Sequence, residues 1–352
     1  MTVNDLIPAA DAIPVDWRWL YFFLVLTFVL HLLFMNAMLG SAIMAFICEL
    51  RGKKAGPSKD ISTKLPYTIA FTVNLGVAPL LFLQVLYGQF IYVSSVLMAG
   101  CWLAVIGLII MLYYSAYIYD FRFEKMPGAR TFFIGLTAIL GLIVAFLFTN
   151  NMTLMLRPET WQEYFGNRSG TLLNLNDPTL WPRYLHFIVA SIAVGGLFQA
   201  VLAKMRKTLP DRQYKIDHGM RWFTIATVVQ ILVGFWFLIS LPREVMLSFM
   251  GGDALNTVIF ILGLAVAAVS LIFGITRRVL PATAATIATV LFMAIVRDLV
   301  RTEFLKPVFH PSDLKVAAQY SPMIVFLIVL VLGLGIMAYM LHLAADSGKE
   351  AK

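Results

Sequence analysis

The chain has 352 residues, of which 60% are apolar and only 13% are charged, and its mean hydropathy is +0.84. A soluble domain carries about twice that share of charged residues, so the composition excludes a soluble enzyme and indicates a polytopic membrane protein. The formal net charge of +8 comes from cations spread over short loops. Because they do not form one basic face, we expect no nucleic-acid binding.

Apolar runs long enough to cross about 30 Å of hydrocarbon predict nine transmembrane helices. They cover residues 19–47, 67–88, 95–118, 131–150, 183–203, 219–240, 255–275, 280–297 and 322–343. The expected fold class is therefore an all-α, polytopic membrane helical bundle that forms a single domain, residues 1–352. The first run is too long for the apolar region of a cleavable signal peptide, so we expect it to remain as a helix.

The distribution of Lys and Arg among the short loops predicts the orientation of the bundle. The cations lie in the connections 49–65, 119–130 and 204–221, at Arg277 and Arg278, and in the C-terminal tail. All of these fall on one side if the spans alternate, which places the N-terminus outside and the C-terminus in the cytoplasm. The outer connection 298–321 also holds cations, but acidic residues accompany them.

Two of the five histidines lie well inside predicted spans, and His342 stands at the inner end of the last one. His31 stands in the segment HLLFMNAMLG, with no charged residue between Arg18 and Glu49, and His186 lies near the start of the fifth helix. Residue counting puts them roughly 18 Å and 6 Å below the outer surface. A neutral imidazole inside a bundle is a preferred axial ligand of haem iron. The alternative is that each histidine only bonds a carbonyl group of a neighbouring helix.

Three segments resemble subunit I of the cytochrome bd quinol oxidases. They are HLLFMNAMLGSAIMAFI in the first helix, NLGVAPLLFLQVLYG at 74–88 in the second and YLHFIVASIAVGGLF at 184–198 in the fifth. In that family, the first-helix histidine holds the haem of the oxygen site and the fifth-helix histidine ligates the low-spin haem b. The resemblance covers about the first 200 residues. It implies two b-type haems with His31 and His186 as iron ligands, in the inner membrane of a bacterial cell.

Departures from the family pattern argue against oxygen reduction. Gln84 stands where the family has a glutamate near the haem, and the following helix lacks the buried glutamate of a proton path. An amide cannot relay a proton as a carboxylate does. Residues 291–304 replace the glutamate and GRQPW motif that help to hold the family's third haem. Arg297 there can pair with a propionate or with Asp298, and Met293 is the nearest soft donor, so a third haem stays open.

The segment 241–255 replaces the long quinol-binding loop of the family. Arg243 and Glu244 are its candidate quinone contacts, and an ion pair at the level of the lipid headgroups is the alternative. Met250 is the candidate sixth ligand of the low-spin haem, because thioether ligation suits a low-spin iron. Ordinary packing is the alternative for this methionine.

These features predict a b-type cytochrome subunit of a quinol:acceptor oxidoreductase, embedded in membrane lipid. It would exchange electrons between a membrane quinol or quinone and a c-type, single- or multihaem, cytochrome on the outer side. A second membrane subunit is left open. The alternatives are a divergent bd-type terminal oxidase subunit, a haem-free quinone-binding anchor subunit and a transporter.

Overall fold

A computed structural model describes residues 3–52, 58–206 and 211–350. Within these ranges the chain forms nine long helices joined by short connections. They are α1 (Trp17–Leu50), α2 (Leu65–Leu97), α3 (Ala99–Phe121), α4 (Arg130–Met155), α5 (Leu180–Met205), α6 (Arg212–Ser240), α7 (Ala254–Ile275), α8 (Val279–Leu305) and α9 (Ser321–Glu350).

The predicted helical membrane bundle is confirmed. Helices α1 to α8 are each long and apolar enough to cross a bilayer. The ninth predicted span, 322–343, falls on α9, whose described apolar part is the shorter segment Ser321–Ile336. A ninth crossing therefore stays a prediction.

The predicted boundary between the second and third spans is wrong. Residues 89–94 are helical, because α2 continues to Leu97 beyond a departure from helical geometry at Tyr87. Because Gln89 and Ser94 are polar, the sequence suggests a loop here, but both side chains are buried. The Ser94 hydroxyl donates a hydrogen bond to Asn151 Oδ1 of α4 at 3.3 Å, so a neighbouring helix takes the place of solvent.

Helix α1 lies at the centre of the bundle, where it packs against α2, α4, α5 and α8. It crosses α5 at a close contact between Gly40 and Gly195. A Cβ atom at Gly40 would lie 1.8 Å from the carbonyl oxygen of Ser191. The Ser191 hydroxyl also donates to Asn36 Oδ1 at 2.8 Å. This crossing fixes the position of α5, which carries His186.

Ion pairs join the basic connections at one end of the bundle, which agrees with the predicted common inner side. They link Lys59 with Glu124, Asp60 with both Arg206 and Lys215, and Asp217 with Arg277. At the opposite end, which is predicted to lie outside, the connection between α4 and α5 forms a compact cap. There Trp161 Nε1 donates to the carbonyl oxygen of Leu154 at 2.9 Å.

Candidate functional site

An apolar cavity of about 200 Å³ lies among α1, α5, α6, α7 and α8. Voids larger than a water molecule are few in well-packed interiors, so a cavity of this size indicates a ligand site. His186 contributes to its wall. Six aromatic rings also line it: Phe187, Phe223, Phe235, Phe237, Phe249 and Phe260.

The Nδ1 atom of His186 is buried and has no hydrogen-bond partner among the described residues. The ring lies against α6, where a Cβ atom at Gly234 would be 3.3 Å from the ring carbon Cε1. Glycine at this position therefore leaves room for the imidazole. The Phe237 ring centroid lies 6.3 Å away. Because buried polar atoms are nearly always paired, the unpartnered nitrogen makes His186 a candidate ligand-binding residue.

Two arginines line the same cavity, Arg183 from α5 and Arg297 from α8. The Arg183 guanidinium lies over the Phe237 ring, 5.0 Å from its centroid, and its Nε and Nη2 atoms are buried without partners. The Arg297 guanidinium lies over the Phe28 ring at 4.4 Å. In the described ranges, neither arginine has a carboxylate oxygen within 4.0 Å.

A charged cluster surrounds these arginines at the outer end of the cavity. Arg301 pairs with the buried Asp298, and Arg157 Nε lies 2.8 Å from Asp177 Oδ2. Arg183 and Arg297 interact electrostatically with these two pairs. Arg157 Nη1 also lies 3.3 Å from Glu159 Oε1, so four guanidinium groups meet three carboxylates. Arg183 and Arg297 have no ion pair of their own, and a bound anion would compensate their charge.

His31 does not line this cavity. The α1 residues in the cavity wall are Leu32 and Asn36, whereas His31 faces α2. Its Nδ1 lies 3.0 Å from the carbonyl oxygen of Thr72, and a Cβ atom at Gly76 would lie 2.9 Å from its Cε1.

The contact with Thr72 fixes the tautomer of His31. Only a protonated Nδ1 can donate to a carbonyl oxygen, so the neutral ring keeps its lone pair on Nε2. The alternative in which His31 only bonds a carbonyl group of a neighbouring helix predicts this hydrogen bond. It is also the second hydrogen bond that metal-ligating histidines usually make, so the geometry fits both roles.

The other predicted site residues separate into two groups. Met293 and Arg297 line the cavity beside His186, so they belong to that site and not to a separate third one. Met250 is 60% exposed and lies outside the cavity wall, which instead includes its neighbour Phe249. Gln84 is half-buried on α2, also outside that wall.

Arg243 and Glu244 are exposed on the short helix Arg243–Leu247 at the outer surface. Between these two described residues no ion pair forms, because adjacent positions on a helix point in different directions.

Arg183 is the cavity residue that sequence reasoning missed. In the segment WPRYLH it resembles an interfacial cation with its head in the headgroup layer. The available signal was its spacing of three residues from His186, which puts both side chains on one face of α5.

No protein-family model matches the chain, and a comparison with curated proteins finds no match. The chemistry of the site itself must therefore indicate the function.

Proposed function

We propose that this chain is a membrane b-type cytochrome subunit with one haem in the cavity beside His186. It exchanges electrons between a membrane quinol or quinone and a c-type cytochrome at the outer surface. One observation carries the proposal: an apolar cavity combines an imidazole in its wall with two arginines that have no carboxylate at ion-pair distance among the described residues.

The composition of the cavity favours haem over a quinone as its occupant. A quinone is uncharged and does not compensate two cations. A haem has an apolar macrocycle, an iron that accepts an imidazole nitrogen, and two propionates. Arg183 and Arg297 suit those propionates because the planar guanidinium donates two parallel hydrogen bonds to a carboxylate. A bound haem b supplies a one-electron iron couple.

The residues of this chain would perform three tasks at that site. His186 would ligate the iron, the two arginines would neutralise the propionates, and the aromatic wall would exclude water, which influences the redox potential of the haem. The second haem expected from the bd-type resemblance would use Nε2 of His31. Oxygen reduction is not part of the proposal, because Gln84 cannot replace a proton-conducting carboxylate.

Quinone access is proposed at the outer connection between α6 and α7. Leu241 and Phe249 of this connection line the cavity, and Arg243 and Glu244 lie on its exposed side. A quinone headgroup at this rim would be separated from the cavity by one layer of side chains.

A reduced-minus-oxidised visible spectrum of the purified, haem-supplied chain tests the proposal. We expect b-type bands from two haems per chain. His186→Ala and His31→Ala should each remove about half of the bound haem. A colourless protein would refute the proposal and favour the haem-free anchor, and oxygen uptake with quinol would favour the terminal oxidase.

The variant Arg183→Leu distinguishes a haem site from a packing defect by the sign of its effect. If propionates compensate the arginine, the variant loses haem more readily than the wild type. If nothing binds there, leucine removes an uncompensated buried charge and raises the unfolding temperature of the chain even after haem has been supplied. Arg168→Leu in the exposed part of the outer cap is the matched control and should change neither property.

A further inference from the structure

The outward face of α2 carries an exposed asparagine deep inside a membrane span. Asn74 is the tenth residue of α2. It therefore lies about 14 Å along the axis from the inner end, near the middle of a bilayer core of about 30 Å. Among the asparagine and glutamine side chains described in the nine long helices, only Asn74 and Gln213 are exposed. Gln213 lies in the first turn of α6, at the inner surface.

The hydrogen-bonding capacity of Asn74 is only partly used. Its Nδ2 donates to the carbonyl oxygen of Ala70, one turn earlier, at 2.9 Å. In the described part of the chain, Oδ1 and the second N–H have no partner. Lipid tails offer none, and polar side chains at this depth normally face protein.

Among the described residues, no other helix of the bundle covers this face of α2. Phe71, Val77 and Leu81 on the same face are exposed. The described side chains of α9 approach this region through Phe326, which contacts Phe23 and Phe82, and Asn74 stays outside that contact. The face is therefore apolar around a single amide that lacks partners.

We propose that this face of α2 binds a second copy of the chain, with Asn74 hydrogen-bonded to Asn74 of the partner across a two-fold axis. An amide is both a donor and an acceptor, so two identical amides satisfy each other at a symmetric contact. A single asparagine in an apolar helix seam also favours pairing of two strands over higher association.

The sequence of this face fits close helix pairing. The positions of this face are separated alternately by four and three residues, which is the repeat of a two-helix seam. They are positions 67, 71, 74, 78, 81 and 85. Ala78, one turn beyond Asn74, is small enough to let two backbones approach. The proposal does not depend on the proposed haem function, because His31 contacts the opposite side of α2, at Thr72 and Gly76.

Energy transfer between labelled full-length chains in lipid vesicles, measured over a range of protein-to-lipid ratios, tests the interface. Asn74→Leu should weaken association about 3- to 20-fold, the range expected for one interhelical hydrogen bond in a membrane. Asn74→Gln keeps the amide and should retain most of the association. Ile106→Leu, on the exposed face of α3, is the matched control and should leave it unchanged. Equal association of Asn74→Leu and the wild type would overturn the proposal.

A photo-crosslinking amino acid at position 74 identifies the occupant directly. We expect a dimer whose cross-link joins position 74 to residues 65–85 of a second copy, and no dimer when the probe is at position 106. Cross-links only to lipid, or to a different polypeptide, would refute the homodimer. Because Asn74 is exposed, Asn74→Leu should unfold at nearly the wild-type temperature, so lost association is not explained by misfolding.

Discussion

Replacing Gly40 with alanine tests whether the crossing of α1 and α5 holds the cavity together. The added Cβ atom would lie 1.8 Å from the carbonyl oxygen of Ser191, so the helices must separate by about 1.6 Å to reach an ordinary contact of 3.4 Å. Neither atom can move aside alone, because the carbonyl belongs to the backbone of α5. Overpacking of this kind costs about 1–3 kcal/mol, occasionally more.

The separation should reach the cavity, since Asn36 of α1 and His186 of α5 form part of its wall. We therefore expect Gly40→Ala to unfold several degrees below the wild type in detergent and to bind less haem. Gly107→Ala is the matched control. A Cβ atom at Gly107 in α3 meets no other atom within 4 Å, and alanine is the better helix former, so that variant should be neutral or slightly more stable.

Intact stability and haem content in Gly40→Ala would refute this reasoning. Such a result would mean that α1 and α5 slide past each other without cost, and that their close approach does not define the cavity.

Three further substitutions have effects that follow from single contacts. Gly76→Ala places a Cβ atom 2.9 Å from the His31 ring and should displace it, which removes one haem from the spectrum while that of His186 remains. Asp177→Asn leaves Arg157 without its buried partner at 2.8 Å; a thermal melt should show a loss of stability of up to about 3 kcal/mol. Ser191→Ala removes the hydrogen bond to Asn36 and should cost about 1 kcal/mol of unfolding free energy in the same assay.

The membrane spans could be predicted because hydropathy acts locally. A run such as 19–47 must be helical in lipid whatever surrounds it, since every backbone group has to be bonded within its own segment. The boundary at 88–95 could not be predicted in this way. The partner that buries Ser94 is Asn151, far away in sequence, so a local window cannot distinguish a buried serine from a solvated one.

Only part of the candidate site could be predicted, because some of its residues carry a local signal and others depend on the path of the chain. His186 and Arg297 could be named because ionisable side chains in apolar helices carry a strong signal. Phe249, and not Met250, reaches the cavity because the chain turns irregularly at 248–252. Gly251 there has φ +109°, a conformation open to glycine, and this geometry shifts the direction of each side chain. A helical repeat that is extended across residues 248–252 therefore does not predict which side chain faces the cavity.

The depth of the cavity affects at which membrane surface a redox group bound in it would exchange electrons. On the outer side, Leu241 and Phe249 of one short connection form its roof, while their neighbours Leu247 and Met250 are exposed. On the inner side, the tightly packed crossing of α5 and α6 intervenes, where a Cβ atom at Gly219 would lie 2.5 Å from the carbonyl oxygen of Gly196. A redox group beside His186 would thus be one side-chain layer from the outer surface and several helical turns from the inner one. If a haem binds beside His186 as proposed, that asymmetry, together with the arginines at the same end, favours electron exchange with a donor or acceptor outside the membrane.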